Sequence, residues 1–238
     1  MKHWFRALAI AIIAPLALAG CLFMPGKFDS TLTIHADRSF TFTYKGEVYA
    51  ADTDKMGGSM LKASSPGGDK EAKPEGDEKA QADKPPSPEE IAKKDAEYRE
   101  LAIQLAKEAG YRQVEYRGNG LFYVDYAISG VLSHGFVYPF NMDAEMLFPW
   151  VAIELRGKDT LRVKATGFAK ADSSMTGGMG TPSESKAEGN FTLNTDAEIV
   201  SQNNEEGATT KGGMKTIVWK VTPRTDDAPM AVLKVKAN

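Results

Sequence analysis

Two runs of strictly alternating apolar and polar residues most constrain how this chain folds. Residues 27–49, KFDSTLTIHADRSFTFTYKGEVY, place them on either side of a short polar loop. The apolar positions are Phe28, Leu32 and Ile34 before the loop and Phe40, Phe42 and Tyr44 after it. A period of two puts successive side chains on opposite faces of a strand. The pattern therefore predicts a β-hairpin with its turn at ADRS.

The segment SPEEIAKKDAEYRELAIQLAKEAG has the signals of a single amphipathic helix. Ser87 suits the N-cap, Pro88 suits the first helical position, Glu90 completes a capping box, and Gly110 is placed to end the helix. Its apolar stripe consists of Ile91, Tyr98, Leu101, Ala102 and Leu105. We expect this stripe to pack on the protein's own sheet. Binding of a partner or of a membrane surface is the alternative.

The remainder of the chain is patterned as strands. Asn119-Gly120 predicts one hairpin and GKDT a second, and NFTLNTDAEIVS, KTIVWKV and MAVLKV predict three closing strands. We therefore expect an α+β fold, with a mainly antiparallel β-sheet, one amphipathic helix packed on it and long disordered loops.

Domain boundaries follow from a change in composition. Residues 52–86 include GGDKEAKPEGDEKAQADKPP, which lacks any large apolar side chain, so we expect a disordered low-complexity insertion. Residues 21–51 would hold the modified N-terminus and the first hairpin. Residues 87–238 would be the helix and the β-rich remainder of the same domain.

The N-terminus has the layout of an export signal. Lys2 and Arg6 precede the uncharged run ALAIAIIAPLALA, which is too short for a spanning helix and contains Pro15. The run ends next to Cys21, which is the only cysteine in the 238 residues. Residues 1–20 are therefore predicted to be a cleaved signal peptide.

The residues Leu18-Ala19-Gly20-Cys21 resemble the lipobox of bacterial lipoprotein signal peptides. The resemblance implies a diacylglyceryl group on the Cys21 sulfur, cleavage before Cys21, acylation of the new amino terminus, and the membrane as a partner. It also implies a place in the bacterial cell envelope, which in a Gram-negative cell would be the outer membrane facing the periplasm, since Leu22 is not an aspartate. An ordinary secretory signal followed by a buried free cysteine is the alternative.

The charge of the chain argues against nucleic acid as a partner. Removal of residues 1–20 takes away Lys2 and Arg6 and no acid, so the formal charge changes from −3 to −5. A mildly acidic chain without a basic stripe gains nothing from a phosphate backbone.

No catalytic site is evident in the sequence. The histidines left after signal removal are His35 at a turn and His134 beside Ser133, and no nucleophile or metal motif surrounds them. Methionine pairs occur in MTGGMG and NMDAEM, which we interpret as loop residues or apolar filler rather than as copper ligands. We therefore expect a protein that is not an enzyme and that has no metal site and no cofactor.

Aromatic residues are concentrated in the middle third of the chain. Phe122, Tyr126, Phe136, Tyr138 and Trp150 are the candidates for a hydrophobic ligand or partner surface. In LFYVDY both alternating positions are apolar, which indicates a strand covered on both faces or a strand with one face on a cavity or docking surface. A plain two-layer core is the competing interpretation.

The Thr-rich hairpin after the lipobox, the later helix and the Trp-containing strand TIVWKV are similar to the pattern of the LppM-like family of bacterial lipoproteins. The resemblance implies a membrane-proximal β-rich domain that contacts lipid or glycolipid, and it assigns no residue a role. This sequence lacks the C-terminal transmembrane helix of some members.

Our first hypothesis is a non-enzymatic envelope lipoprotein that binds an unknown protein or lipid or maintains the envelope. A carrier of lipid or another hydrophobic ligand is the alternative, and an envelope hydrolase is third.

Overall fold

The computed structural model describes residues 22–51, 87–139, 149–170 and 185–237. The strands are β1 Leu22–Ile34, β2 Ser39–Ala51, β3 Tyr111–Gly118, β4 Leu121–Val131, β5 Phe136–Tyr138, β6 Val151–Arg156, β7 Thr160–Lys164, β8 Glu188–Thr195, β9 Glu198–Gln202, β10 Thr209–Lys211, β11 Met214–Val221 and β12 Met230–Lys234. One helix, α1 Pro88–Leu105, and a short 3-10 turn at Thr166–Phe168 complete the described elements. The predicted α+β class is confirmed. The insertion at 52–86 lies outside the described residues, as does part of the expected long loops, and the domain boundaries stay a prediction.

The strands form two sheets. A seven-stranded sheet has the order β10-β11-β8-β1-β2-β4-β3, and a five-stranded sheet has the order β5-β6-β7-β12-β9. All pairs are antiparallel except β1 with β8, which run parallel. The prediction of a mainly antiparallel sheet is confirmed, whereas the division into two sheets was not predicted.

The first hairpin forms as its alternation predicts. In β1 and β2, Leu32 pairs with Phe42 and Ile34 with Phe40, and the turn closes with a 2.9 Å hydrogen bond from the His35 amide to the Ser39 carbonyl. Gly46 interrupts the apolar series in β2 because β1 passes very close there. A Cβ on Gly46 would lie 2.3 Å from the carbonyl oxygen of Lys27.

One predicted strand is divided between the sheets. NFTLNTDAEIVS forms β8 in the seven-stranded sheet and β9 in the five-stranded sheet, with the change of direction at Asp196 and Ala197. One local and one long-range hydrogen bond hold the turn. The Ala197 amide donates to Thr195 Oγ1 at 3.0 Å, and the Ala36 amide of the first hairpin donates to Asp196 Oδ1 at 2.6 Å. Residues 202–213, QNNEEGATTKGG, are one of the long connections expected between the closing strands, and they contain a short strand, β10, which pairs with β11.

The helix begins as predicted and ends early. Both hydrogen bonds of the capping box between Ser87 and Glu90 are present. The helix ends at Leu105, five residues before Gly110, which lies against the ring of Tyr126 at the start of the next turn. In the predicted stripe Leu101 and Ala102 are buried, while Ile91 is 45% exposed. The first turns of α1 therefore do not pack on the sheet.

The core fills the space on one face of the seven-stranded sheet. Phe42, Tyr44, Leu32, Phe191 and Leu193 point inward and are buried, and the five-stranded sheet contributes Ile153, Leu161, Val163 and Leu233. The positions between them on the outer face of the seven-stranded sheet, such as Thr31, Thr41 and Thr43, are half-buried or exposed. Only one face of this sheet is therefore apolar over most of its area, as is common for antiparallel sheets.

Candidate functional site: the aromatic cluster and the end of the sheet next to Cys21

The structure brings most of the sequence-predicted aromatic residues into the core. Phe122, Tyr126, Tyr138 and Trp150 are 1%, 8%, 3% and 4% exposed, and Phe136 is half-buried. Phe140 and Phe148, which extend the same sequence region, lie outside the described residues. The role of the five candidates in binding a ligand or partner stays a prediction.

Tyr138, at the end of β5, is the centre of this aromatic cluster. Its ring centre lies 4.6 Å from that of Tyr126, 4.9 Å from Phe42, 5.6 Å from Tyr44 and 5.7 Å from Trp150. These separations are those of rings in direct contact. The described aromatic side chains around Tyr138 therefore fill the space between the two sheets by packing on each other.

Burial keeps the tyrosine hydroxyls of this cluster neutral. Burial, followed by the nearby hydroxyls of Tyr111, Tyr44 and Tyr126, raises the pKa of Tyr138 well above its ordinary value. Burial also raises the pKa of Tyr111 to about 12, with smaller contributions from Tyr126 and Glu108. At neutral pH these hydroxyls therefore hold their protons.

Phe122 belongs to a second aromatic group, which attaches the helix to the sheet. Its ring centre lies 5.7 Å from Tyr98 of α1, 5.0 Å from Tyr116 of β3 and 6.0 Å from Phe23 of β1. The Tyr116 hydroxyl also donates to the Asp95 carboxylate of α1. This group lies at the end of the sheet where β1 begins.

Strand β1 begins at Leu22, the residue after Cys21. Leu22 pairs with Ala51, and Phe23 pairs with Ala50. The Trp150 indole Nε1 donates to the Phe23 carbonyl oxygen at 3.3 Å. Cys21, the predicted lipidation site, lies outside the described residues. Strand β1 nevertheless leaves no spacer between Cys21 and the folded sheet.

The two histidines are placed at the surface. The His35 Nδ1 lies 3.2 Å from Asp196 Oδ2, and the His134 Nδ1 lies 3.0 Å from Ser133 Oγ. The latter pair is exposed, and the described contacts give that histidine no carboxylate to orient it as a triad requires. Among the described residues no group of three or more His, Cys, Asp or Glu side chains is placed to hold a metal ion. The methionines of MTGGMG and NMDAEM lie outside the described ranges.

An open depression of about 540 Å³ lies along β9, away from the aromatic candidates. Ile199, Val200, Gln202, Ala208 and Lys215 are among the residues that line it. It is a shallow groove at the edge of the five-stranded sheet. Because the groove is open to solvent, it is not an enclosed cavity for an apolar ligand.

Sequence reasoning missed two aromatic side chains on the outer face of the seven-stranded sheet. Tyr49 and Tyr123 are half-buried there, and a cation lies over each ring. The signal was present for Tyr123, because LFYVDY is apolar at both alternating positions. The structure assigns one of these positions to the core and the other to the outer face.

Comparison with known proteins identifies no family for this chain. No family model matches it, and no curated protein matches it significantly. Among solved structures, the NMR structure of the folded domain of LppM from Mycobacterium tuberculosis matches with a TM-score of 0.30 and 15% identity, over 90% of this chain and 94% of that chain. At that TM-score the likeness carries no argument about the fold or function of this chain. Within the described part of the chain, no helix is both long and apolar enough to cross a membrane.

Proposed function

We propose that this protein is a non-enzymatic lipoprotein of the bacterial cell envelope, anchored through lipid on Cys21. Its β-rich domain would bind a protein or lipid of the envelope or help to maintain the envelope. The observation that carries this proposal is the start of β1 at Leu22, directly after the lipobox cysteine. An anchored Cys21 would hold the folded domain against the bilayer without a flexible tether.

A structural role for the domain is favoured over catalysis by the state of its titratable groups. The buried tyrosines keep their protons, and the described histidines lie at surface turns. An enzyme would need a nucleophile and a base in contact within a cleft. An envelope hydrolase therefore has the least support of the three hypotheses.

The carrier hypothesis has less support than partner binding. A carrier encloses its ligand in an apolar cavity of roughly 300 Å³ or more. The rings around Tyr138 are in direct contact instead, with centres 4.6 to 5.7 Å apart. Among the described residues these side chains leave no comparable space at the centre of the aromatic cluster.

Substitution of the anchor residue tests the proposed function. We expect Cys21→Ser to leave the signal peptide uncleaved by the lipoprotein-specific peptidase and the protein without lipid, because a hydroxyl does not replace the thiol as the acceptor. The measurement is membrane fractionation together with the intact mass. Ser133→Ala, at an exposed position two residues beyond the far end of β4, is the matched control and should fractionate as the parent does. A Cys21→Ser protein of normal processed mass in the membrane fraction would show that lipid on Cys21 is not the anchor.

A separate experiment identifies what the domain binds. Crosslinking of the parent protein in intact cells, followed by mass spectrometry, would identify the bound protein or lipid.

A further inference from the structure

Four half-buried side chains form a strip on the outer face of the seven-stranded sheet, at the end where β1 begins. Met24 lies opposite Tyr49 and Tyr49 lies opposite Leu121 across three adjacent strands, and Tyr123 follows two residues later in β4. Paired residues and residues two apart in a strand point to the same face. We call Met24, Tyr49, Leu121 and Tyr123 the anchor-side patch.

Two cations lie over the tyrosines of the anchor-side patch. The Lys186 ammonium lies 4.1 Å from the ring centre of Tyr49, and the Arg117 guanidinium lies 4.3 Å from the ring centre of Tyr123. Both cations are exposed. Tyrosine rings together with lysine and arginine are the combination that proteins place at the boundary between lipid tails and water.

The charges around the anchor-side patch are balanced. The Arg117 Nη2 lies 3.1 Å from Glu115 Oε2, and Glu47 lies in β2 two residues before Tyr49. Glu47 accepts a 3.2 Å hydrogen bond from the Lys27 amide. Lys27 and Glu188, which pair across β1 and β8, add one charge of each sign. Three cations and three carboxylates give no net charge, which matches a zwitterionic headgroup layer rather than a strongly anionic one.

The anchor-side patch lies close to the lipidation residue. Tyr49 is two residues from Ala51, which pairs with Leu22, the neighbour of Cys21. At about 3.3 Å per residue along a strand, Tyr49 lies within roughly 10 Å of the level of Cys21. The headgroup region of one leaflet is about 5–8 Å thick. In an upright domain Tyr49 would therefore lie just above the headgroups, and a tilt of the domain toward its outer face brings this part of the sheet to headgroup depth.

We propose that the anchor-side patch seats the domain in the phospholipid headgroup layer of the membrane to which it is anchored. The rings of Tyr49 and Tyr123 contact the boundary of the acyl chains, while Lys186 and Arg117 reach phosphate oxygens. The domain then leans on the outer face of its seven-stranded sheet instead of standing upright. The inference rests on the proposed lipidation of Cys21, and it needs no anionic lipid because the patch is balanced in charge.

Relaxation of NMR signals by spin-labelled lipid tests this inference. The lipidated full chain, purified from cells, is placed on phosphatidylcholine vesicles and nanodiscs that contain phosphatidylcholine with a nitroxide on its headgroup. We expect strong signal broadening at Tyr49 and Tyr123 and little at Thr41 and Ser129, which lie on the same face at the far end of the sheet. Equal broadening at both ends, or broadening that stops at Phe23, would overturn the proposal.

Charge reversal supplies the matched variants. Lys186→Glu combined with Arg117→Glu should reduce the broadening at the anchor-side patch roughly twofold or more, because two cations are replaced by carboxylates that the lipid phosphates repel. Lys158→Glu combined with Lys211→Glu, both exposed at the opposite end, should leave it unchanged. Unchanged broadening in the first pair would also overturn the proposal.

Flotation of the same samples separates the two proposals. Protein that floats with vesicles but shows no broadening at the anchor-side patch would refute the seating while the lipid anchor stands. Protein that does not float would refute the anchor, and the seating with it.

Discussion

The indole Nε1 of Trp150 donates a hydrogen bond to the carbonyl oxygen of Phe23, 3.3 Å away. Trp150 directly precedes β6 in the five-stranded sheet, and Phe23 lies in β1 of the seven-stranded sheet. The contact therefore joins the two sheets two residues after the proposed lipid anchor. A force on the anchor would act on the core through β1 and this contact.

Replacement of the indole tests how much that hydrogen bond contributes. Trp150→Phe removes the donor and keeps a buried ring, so we expect the free energy of unfolding to fall by about 1 kcal/mol. Trp150→Ala should cost about 3–5 kcal/mol, because it also leaves a cavity. Urea unfolding measures both. Trp219→Phe is the matched comparison. It removes a hydrogen bond of the same kind, from Trp219 Nε1 to Asn203 Oδ1 at 3.1 Å, at a place that does not involve Phe23. A Trp150→Phe protein as stable as the parent would mean that the bond contributes nothing.

Truncation of a core aromatic residue separates a packed core from a carrier. Phe122→Ala or Tyr126→Ala should lower the free energy of unfolding by about 3 kcal/mol, because each ring is buried among other rings. Thermal unfolding and mass spectrometry of co-purified lipid are measured on the same samples. Stoichiometric lipid in the parent, lost in a Tyr126→Ala protein of unchanged stability, would favour the carrier hypothesis instead.

The N-cap of α1 can be removed without touching the core. Ser87→Ala should destabilise the helix by about 1 kcal/mol, because it removes the hydrogen bond that Ser87 Oγ accepts from the Glu90 amide at 3.2 Å. Ser87→Asp is the matched control, since aspartate is an equally good cap. Hydrogen exchange of the first helical amides reports the change. Equal exchange in the two variants would show that the serine does not hold the helix end.

Asp196 makes the stability of the domain depend on pH. The hydrogen bond from the Ala36 amide, and then the contacts with His35, hold the pKa of Asp196 below its ordinary value. A carboxyl with a lowered folded-state pKa stabilises the fold above the unfolded-state pKa of about 3.9, and this stabilisation is lost as the pH falls through the folded-state pKa.

Asp196→Asn tests that dependence. It should lose stability relative to the parent at pH 6, and the difference should shrink as the pH falls below about 4. Urea unfolding across this pH range is the measurement. Asp226→Asn, whose carboxylate is exposed and meets only Lys170 among the described contacts, is the control. A difference that stays constant with pH would show that the Asp196 charge is not involved.

Local patterns predicted the elements whose structure depends on neighbours in the sequence. The first hairpin, the capping box of α1 and the turn at Asn119-Gly120, where φ is 53° and 72°, all formed as expected. Alternation, capping and positive φ are each set within a few residues. The end of α1 was predicted too late, because the chain leaves the helix at Leu105 before it reaches Gly110.

The sequence by itself determined a β-rich domain with one capped helix, directly after Cys21, the predicted site of lipidation. Only the tertiary structure decided that β1 pairs in parallel with β8, that Asp196 divides one predicted strand between two sheets, and which rings meet. It also placed Tyr126 in the core and Tyr123 on the outer face. Pairing between distant strands and the choice of the buried face depend on contacts between residues far apart in the chain, and a pattern within a few residues does not contain them.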